Sequence, residues 1–196
     1  MPNSVTEYAR IAQKGSIRTI IGPGIAPVRR AHEFYMDWSE VTMKPDNLLN
    51  SLIEHPEGGR FREVFRSPRS VRTRDGSVRS ALTHIYFSLR PGEVSRFHRV
   101  ASDEVWNLYQ GSGLFLYSWD GANAQPRRHT LSAGGNCFCH VVPAGTWQAA
   151  EPISDEVLVG CSVAPGFEFS DFALMDADSA AAGLLVSTAP EMARFI

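Results

Sequence analysis

Short runs of alternating apolar and polar residues fill the chain from Phe61 onward. Two β-rich runs flank Asp75-Gly76 in SVRTRDGSVRSALTHIYFSL, and aspartate-glycine is a strong hairpin signal. Further runs follow, each bounded by Gly, Pro, Asp or Asn: EVWNLYQ, GLFLYSW, CFCHVV and EVLVGCSV. A second aspartate-glycine turn, Asp120-Gly121, follows the GLFLYSW run. Short strands at this spacing, with no helix between them, predict an all-β antiparallel sandwich or barrel.

The two ends of the chain depart from this pattern. Residues 46–54 have the apolar periodicity of a helix, and the residue before Pro56 should end it, because a following proline disfavours the α conformation. The tail, residues 176–196, is rich in alanine and interrupted by Pro190, so we expect one or two short helices. Residues 1–46 include the segment IGPGIAP, whose prolines and glycines favour an extended or turning N-terminal arm. A single domain over residues 47–196 then follows.

Composition narrows the classes of partner. The 196 residues are 43% hydrophobic and 20% charged, with a net charge of −2, as in an ordinary soluble globular domain. The arginines between Arg60 and Arg79 are interrupted by Glu63 and Asp75, which indicates a solvated strand face, so we expect no nucleic-acid partner. No apolar run approaches the ~20 residues of a membrane helix, so we expect no membrane partner.

The cysteines indicate a reducing compartment. There are three, an odd number, and the chain opens without a signal peptide, so we expect a cytoplasmic protein without a disulfide framework. Cys137-x-Cys139 is a single knuckle, whereas a zinc site needs about four ligands, usually from two knuckles. The pair is therefore predicted to be two half-buried strand residues.

Candidate chemistry lies in GEVSRFHRVASDEVWNLYQG, residues 92–111, where Glu104 follows His98 by six residues. Strand side chains alternate between faces, which predicts two sets that each share a face: Arg96, His98 and Val100 before the turn, and Glu104, Trp106 and Leu108 after it. A histidine and a carboxyl group in an apolar, aromatic-lined barrel have shifted pKa values, which suits acid–base work. A purely structural pair is the alternative.

The spacing within residues 92–111 resembles the first cupin motif, with His98 and Glu104 at two ligand positions and Val100 where a second histidine would stand. The segment VPAGTWQ resembles the second motif, with Gln148 in place of its histidine. On this resemblance the chain keeps two of the four usual cupin metal ligands.

Four segments in order resemble the fifth cupin family: HPEGGRFREVFRS, SRFHRVASDEVW, VPAGTWQAA and LVGCSVAPGFEFSDFAL. This resemblance covers residues 47–196 and implies a cupin jelly-roll β-barrel with short flanking helices, assembled as a homodimer and holding one deep pocket for a small molecule. It does not imply one settled reaction. Residues 1–46 lie outside the resemblance, and we expect this arm to cross to the partner subunit.

The candidate site residues fall into three groups. His98 and Glu104 are the predicted catalytic pair. The predicted substrate contacts are Tyr86, Arg96, Trp106, Tyr117 and Gln148, and either of the two tyrosines is a candidate acid. If a metal binds, its ligands would be His98, Glu104 and weakly Gln148, because neutral amide oxygens are poor ligands for transition metals, with His140 as the alternative ligand. His32, His55 and His129 receive no role.

Three functions of different classes remain open from the sequence. The preferred one is an isomerase, epimerase or lyase in which His98 takes a proton and Glu104 orients it or shares the proton. It requires no cofactor, or only a weakly bound divalent metal that the sequence does not distinguish among Zn, Fe, Mn and Ni. The second is a non-catalytic binder of a sugar, nucleotide or other metabolite. The third is a metal-dependent oxygenase, which needs about three protein ligands and therefore His140 or His84 as well.

Overall fold

The computed structural model describes residues 51–122 and 125–196 of the chain. The predicted N-terminal arm and residues 46–50 of the predicted helix lie outside these ranges. The remainder of that helix prediction is wrong, because Ile53–Glu54 forms a short strand, β1. Its pairing with Phe61 and Arg60 supplies the backbone hydrogen bonds that a helix would otherwise have made.

Antiparallel strands make up about half of the described chain. After β1 they are β2 (Arg60–Arg66), β3 (Ser70–Arg72), β4 (Val78–Ser80), β5 (Thr83–Leu89), β6 (Ser95–Val100), β7 (Asp103–Gln110), β8 (Leu114–Trp119), β9 (Arg127–Leu131), β10 (Cys139–Val142), β11 (Trp147–Pro152), β12 (Val157–Ala164) and β13 (Phe172–Leu174). The predicted hairpin at Asp75-Gly76 is present between β3 and β4, and Gly76 takes the positive φ (89°) that this turn requires.

The strands form two main sheets. One has six strands in the order β1-β2-β5-β12-β7-β10, and the other has five in the order β13-β6-β11-β8-β9. Neighbours in this order are often distant in the chain, as expected for a jelly roll rather than a meander. The predicted all-β jelly roll is therefore confirmed.

Two apolar clusters hold the fold together. One lies between the sheets and draws on both, with Phe87, Trp106, Leu116 and Leu131 among its buried members. The other covers the outer face of the five-stranded sheet, where Phe97, Tyr117, Trp119 and Trp147 pack against the C-terminal segment. That segment consists of helix α1 (Ala180–Thr188) and a 3₁₀ helix (Pro190–Phe195), so the predicted pair of short helices around Pro190 is present.

A β-bulge in β6 determines which side chains of that strand reach the interior. Gln148 of β11 pairs with His98 and Ala150 pairs with Ser95, so two steps along β11 oppose three along β6. The extra residue breaks the strict alternation of side chains, as bulges do. Ser95 and His98 therefore both point inward, whereas the guanidinium of Arg96 turns away and donates to the carbonyl of Pro56 (2.6 Å).

Candidate functional site

A cavity of about 90 Å³ lies between the two sheets. Most of its wall is apolar and includes Phe61, Ile85, Phe87, Val100, Phe167 and Phe172. The titratable side chains of this wall include His55, Glu57, His98 and Glu104. An apolar cavity with a few convergent polar groups is the usual form of a small-molecule site.

Glu57 is the most heavily hydrogen-bonded of these groups. Its Oε1 accepts from the hydroxyl of Ser95 (2.8 Å), and its Oε2 lies 3.2 Å from Nδ1 of His55 and 3.3 Å from Nε2 of His98. Burial raises the pKa of this carboxyl, but attraction to His98 and hydrogen bonding from His55 outweigh burial, so the pKa lies below its ordinary value. Glu57 is therefore a buried carboxylate that two histidines stabilise.

Two glycines after Glu57 hold it in place. Gly58 has φ +109°, and a Cβ there would lie 2.2 Å from the carbonyl oxygen of Val94. Gly59 has φ +65°, and its Cβ would lie 2.7 Å from the carbonyl oxygen of Ser88. Only glycine fits a left-handed conformation packed this closely. The turn thus brings the segment before β2 against β5 and β6, with the Glu57 side chain directed inward.

His98 is fixed by contacts on both ring nitrogens and on its face. Its Nδ1 lies 2.9 Å from the carbonyl oxygen of Arg96, which only accepts, so Nδ1 carries a proton. Its Nε2 faces Glu57, and its ring stacks on Phe172 at 5.5 Å between centroids. A carboxylate opposite Nε2 requires a proton between the two atoms, so Nε2 of His98 and Oε2 of Glu57 share one proton.

Glu104 is held from the opposite side by an amide whose orientation is determined. The indole N–H of Trp106 can only donate, and it donates to Oε1 of Gln148 (2.9 Å). The amide nitrogen of Gln148 must then donate to Oε2 of Glu104 (2.5 Å). Gln148 is fully buried and does not line the cavity, so these two contacts account for its side chain.

The pKa of Glu104 is shifted in the opposite direction to that of Glu57. Burial is the largest effect and raises the pKa of Glu104, and the charge of Glu57 raises it further. His98 and the hydrogen bond from Gln148 lower it, but burial dominates. Glu104 therefore keeps its proton to a higher pH than an ordinary glutamate, in a wall that also holds Glu57, whose pKa is lowered. Cys161 lines the same cavity, and burial raises the pKa of its thiol well above the ordinary value, so it is not a thiolate nucleophile.

The predicted site residues fall in several places. His98, Glu104 and Trp106 line the cavity, as does Val100. Tyr86 lies on the outer face of the six-stranded sheet, where its ring meets His84 and Tyr109.

Three further predicted residues also lie away from the cavity. Tyr117 packs on Phe195 under the C-terminal segment, and burial together with its hydrogen bond to Glu151 raises its pKa to about 12. Arg96 is bound to the Pro56 carbonyl. His140 stacks on His129 in a separate cavity. Neither tyrosine that the sequence offered as an acid therefore lines this cavity.

Sequence reasoning missed two members of the site, His55 and Glu57. Both belong to the segment HPEGG, in which a histidine and a glutamate flank a proline and precede two glycines. The signal available was the glycine pair, since adjacent glycines indicate a constrained backbone that positions a neighbouring side chain. The spacing alone does not reveal that this turn packs against β6.

The residues of this cavity do not fit the metal that cupins commonly bind. Val100 contributes only hydrocarbon at one ligand position. At another, the oxygen of Gln148 is occupied by Trp106 and its nitrogen is a donor. Within residues 51–122 and 125–196, no group of three or more His, Cys, Asp or Glu side chains is placed to hold a metal ion. No step proposed below runs through a metal.

The jelly roll, together with His98 and Glu104 at their motif positions, defines a cupin. The profile of the fifth cupin family, described as Cupin superfamily (DUF985), matches residues 49–175, and the chain belongs to this family.

Individual proteins are also similar to the chain in sequence or structure. A Saccharomyces cerevisiae protein, Uncharacterized protein YML079W, is 28% identical over 137 residues, which is 61% of this chain and 68% of the yeast protein. A hypothetical protein from Leishmania major has a similar structure, with 29% identity and a TM-score of 0.63 over 76% of this chain and 92% of its own. Protein SO0799 from Shewanella oneidensis is 34% identical, with a TM-score of 0.60 over 73% of this chain and 87% of its own.

Among the described residues, no helix has the length and apolar character needed to cross a membrane.

Proposed function

We propose that this protein is an acid–base enzyme, of the isomerase, epimerase or lyase type, that acts on a small molecule in the cavity between the sheets. One observation carries the proposal: two carboxyl groups on either side of His98 have pKa values displaced in opposite directions, Glu57 downward and Glu104 upward. Environments that separate the pKa values of neighbouring titratable groups are a mark of acid–base pairs.

The arrangement suggests a role for each group. The Nδ1–H of His98 is fixed on a carbonyl, so His98 exchanges protons through Nε2, which it shares with Oε2 of Glu57. The proton between them moves to Oε2 of Glu57, and the freed Nε2 of His98 takes a proton from a carbon next to a carbonyl group. Glu104 gives its proton to the carbonyl oxygen, which yields an enol. Return of a proton at the same or the neighbouring carbon gives an epimer or isomer, and loss of a leaving group gives a lyase product.

The cavity limits the size and character of the substrate. Its volume of about 90 Å³ is well below the roughly 300–1,000 Å³ of a site for drug-sized ligands. Phe61, Phe87 and Phe172 contribute much of its apolar wall. We therefore expect a small carbonyl compound, or the reactive end of a larger one that projects out of the cavity.

Hydrogen exchange tests the proposal. Hydroxyacetone, pyruvate and acetoacetate, incubated with the protein in heavy water, are followed by NMR for loss of the carbon-bound hydrogen next to the carbonyl. His98→Asn and Glu104→Gln should each slow the exchange by ~10²–10⁴, the usual contribution of a general acid or base. Glu93→Gln, which removes an exposed carboxylate outside the cavity, is the matched control and should leave the rate unchanged.

Two outcomes would count against the proposal. A folded His98→Asn protein that still exchanges at the wild-type rate would exclude His98 from the chemistry. Tight binding of one of these compounds without any exchange would favour a metabolite-binding protein, the second function that the sequence leaves open.

We further infer that the protein works as a homodimer. The outer face of the six-stranded sheet carries Tyr109 (47% exposed) and Val141 (51% exposed) beside Tyr86. Exposed apolar side chains clustered on a sheet face are typical of an interface. Sedimentation should give the mass of two chains, and Tyr109→Glu should shift the protein toward the monomer. A wild-type monomer at micromolar concentration would contradict the inference.

A further inference from the structure

A second cavity, of about 380 Å³, lies on the other side of the Trp106–Gln148 hydrogen bond. It shares no lining residue with the first. Its wall includes the polar side chains of Ser118, Asp120, Gln125, Arg127, His129 and His140. The barrel interior is thus divided into two compartments, and the proposed acid–base chemistry uses only one of them.

Strand register explains why these side chains converge. Ser118 lies opposite Gln148 on β11, and His140 lies opposite Trp106 on β7. Directly opposed residues in an antiparallel pair point to the same face, so Ser118 and His140 are directed inward from different sheets. His129 likewise lies opposite the buried Leu116. The cavity is therefore part of the barrel interior that opens past the ends of β9 and β10.

The two histidines in this compartment stack face to face. The ring centroids of His129 and His140 are 3.8 Å apart, with 25° between the planes. Nε2 of His129 is 2.8 Å from the hydroxyl of Ser118. Neither ring makes an ion pair within the described ranges of the chain. Stacked rings direct their nitrogen lone pairs side by side rather than toward one point, so the pair is poorly arranged to chelate a metal.

Arg127 is the cationic side chain beside the stack. Arg127 pairs in register with Ser118, and within the part of the chain that the structure describes it makes no salt bridge. Asp120 is the acidic residue of the wall, and its Oδ1 accepts the backbone N–H of Ala122. A guanidinium and two imidazoles thus face one carboxylate across a cavity that is large enough for a small metabolite.

The surroundings of the stack lower the pKa of both histidines. Burial lowers the pKa of His129, and the nearby His140 and Arg127 lower it further. Burial also lowers the pKa of His140. An anion placed among these groups would relieve the mutual repulsion, so its binding would be coupled to proton uptake by a histidine.

We propose that this second compartment binds the dianionic group of a small metabolite, a phosphate or sulfate type of oxyanion, between Arg127 and the His129–His140 stack, with the hydroxyls of Ser118 and Thr146 as further donors. Arg127 supplies the planar, charge-assisted donors that suit such oxyanions. A protonated histidine supplies the second positive charge. The inference does not depend on the acid–base proposal for the first cavity.

Sulfate is the sharpest probe, because it stays a dianion across the titration range of histidine. Its binding to the full-length chain is measured by NMR at constant ionic strength, with chloride as the balancing ion. We expect the dissociation constant to fall by about tenfold between about pH 8 and about pH 5.5, as histidine becomes protonated. Succinate, tested in parallel, should bind more weakly if the site selects a compact tetrahedral dianion over separated carboxylates.

The strand offers a matched pair of variants for this test. Arg127→Gln should weaken sulfate binding by about tenfold at every pH, since it removes a charge-assisted contact. Arg128→Gln removes the same charge one residue away, from the opposite face, where the guanidinium lies over the Phe115 ring (4.8 Å). It should change binding less than about twofold. Both side chains are exposed, so neither change threatens the fold.

His140→Gln separates the contribution of Arg127 to sulfate binding from that of the protonated histidine. This variant should keep the weaker affinity measured at high pH and lose most of the tightening at low pH. Three results would overturn the proposal: equal sulfate affinity in the two arginine variants, binding that does not change with pH, or zinc binding that requires both histidines in a protein that binds no sulfate.

Discussion

Nε2 of His98 lies 3.3 Å from Oε2 of Glu57, and both side chains are almost fully buried, at 3% and 6% exposure. The two residues come from different motifs, HPEGG and SRFHRV, which the turn after Glu57 brings together. A buried ion pair adds little stability over a hydrocarbon replacement, but removal of one partner leaves an uncompensated charge. A role in the chemistry of the site therefore explains this buried pair better than a role in stability does.

Glu57→Gln should abolish most of the activity. The substitution keeps the volume and the Ser95 contact, but it removes the carboxylate that shares a proton with Nε2 of His98. We expect the exchange rate to fall by ~10²–10⁴ and the free energy of unfolding to fall by about 3–5 kcal/mol. Hydrogen exchange of the carbonyl probes and urea denaturation measure the two effects. Wild-type exchange in a folded Glu57→Gln protein would exclude Glu57 from the site.

Gly58→Ala should damage stability and site together. Gly58 has φ +109°, and an added Cβ would lie 2.2 Å from the Val94 carbonyl, so the turn must move and carry Glu57 with it. We expect a loss of at least about 1–3 kcal/mol in the free energy of unfolding. Gly134→Ala is the matched control, because nothing lies within 4 Å of its added Cβ, and it should change stability by less than about 0.5 kcal/mol. Equal effects would contradict this account.

The fold was predictable because its signals are local. The Asp75-Gly76 turn, the alternation in EVWNLYQ and GLFLYSW, and the Pro190 break each act within a few residues, and each is present in the structure. Together with the motif resemblance they determine a jelly roll. The helix predicted over residues 46–54 is wrong at Ile53–Glu54, because these residues pair with β2. The local periodicity does not indicate that pairing.

The site was only partly predictable, because it depends on contacts between distant strands. Strand parity correctly brought His98, Glu104 and Trp106 to one cavity. Parity also grouped Arg96 with His98, and the bulge in β6 broke that grouping. His55, which received no role from its place in the sequence, lines the cavity for the same kind of reason. Its contact with Glu57 depends on the packing of a turn, which residue spacing does not indicate.

Metal affinity should be recoverable by restoring the two lost ligands. Val100→His combined with Gln148→His places imidazoles at the positions that the cupin motifs normally give to histidine, beside His98 and Glu104. We expect the double variant to retain a divalent transition metal through dialysis against a chelator and the wild type to lose it, because imidazole is a far better ligand than an amide or a hydrocarbon. Metal analysis after dialysis measures this. Stoichiometric, chelator-resistant metal in the wild type would contradict it.

The three thiols should differ in reactivity. Cys137 and Cys139 are exposed, whereas Cys161 is buried and its pKa is raised by burial. The thiolate is the reactive form, so a disulfide reagent should modify two thiols of the folded protein rapidly and the third only on unfolding. Counting released chromophore before and after addition of denaturant measures this. Rapid reaction of Cys161 in the native protein would mean that its surroundings favour the thiolate.

Glu104→Gln should change the pH dependence of stability in a direction that identifies Glu104 as an acid. Burial raises the pKa of Glu104 in the folded protein. As pH rises above the ordinary carboxyl value of about 4.3, the unfolded chain therefore releases a proton that the folded chain keeps. The contribution of Glu104 to stability is present at low pH and is lost as pH rises toward the folded pKa. Glutamine does not titrate and resembles the protonated acid, so the variant should gain stability relative to wild type across that window.

Glu57 provides the opposite control for this measurement. Its folded pKa is lowered, so its contribution is present above the ordinary carboxyl pKa and is lost as pH falls through the folded value. Urea denaturation of the wild type, Glu57→Gln and Glu104→Gln over a series of pH values should thus give difference curves of opposite slope. Since Gln148 donates to Oε2 of Glu104, the amide oxygen of the new glutamine can accept the same hydrogen bond, and packing should be preserved. A Glu104→Gln curve parallel to that of Glu57→Gln would mean that Glu104 is ionised in the folded protein, and the assignment of acid and base would have to be reversed.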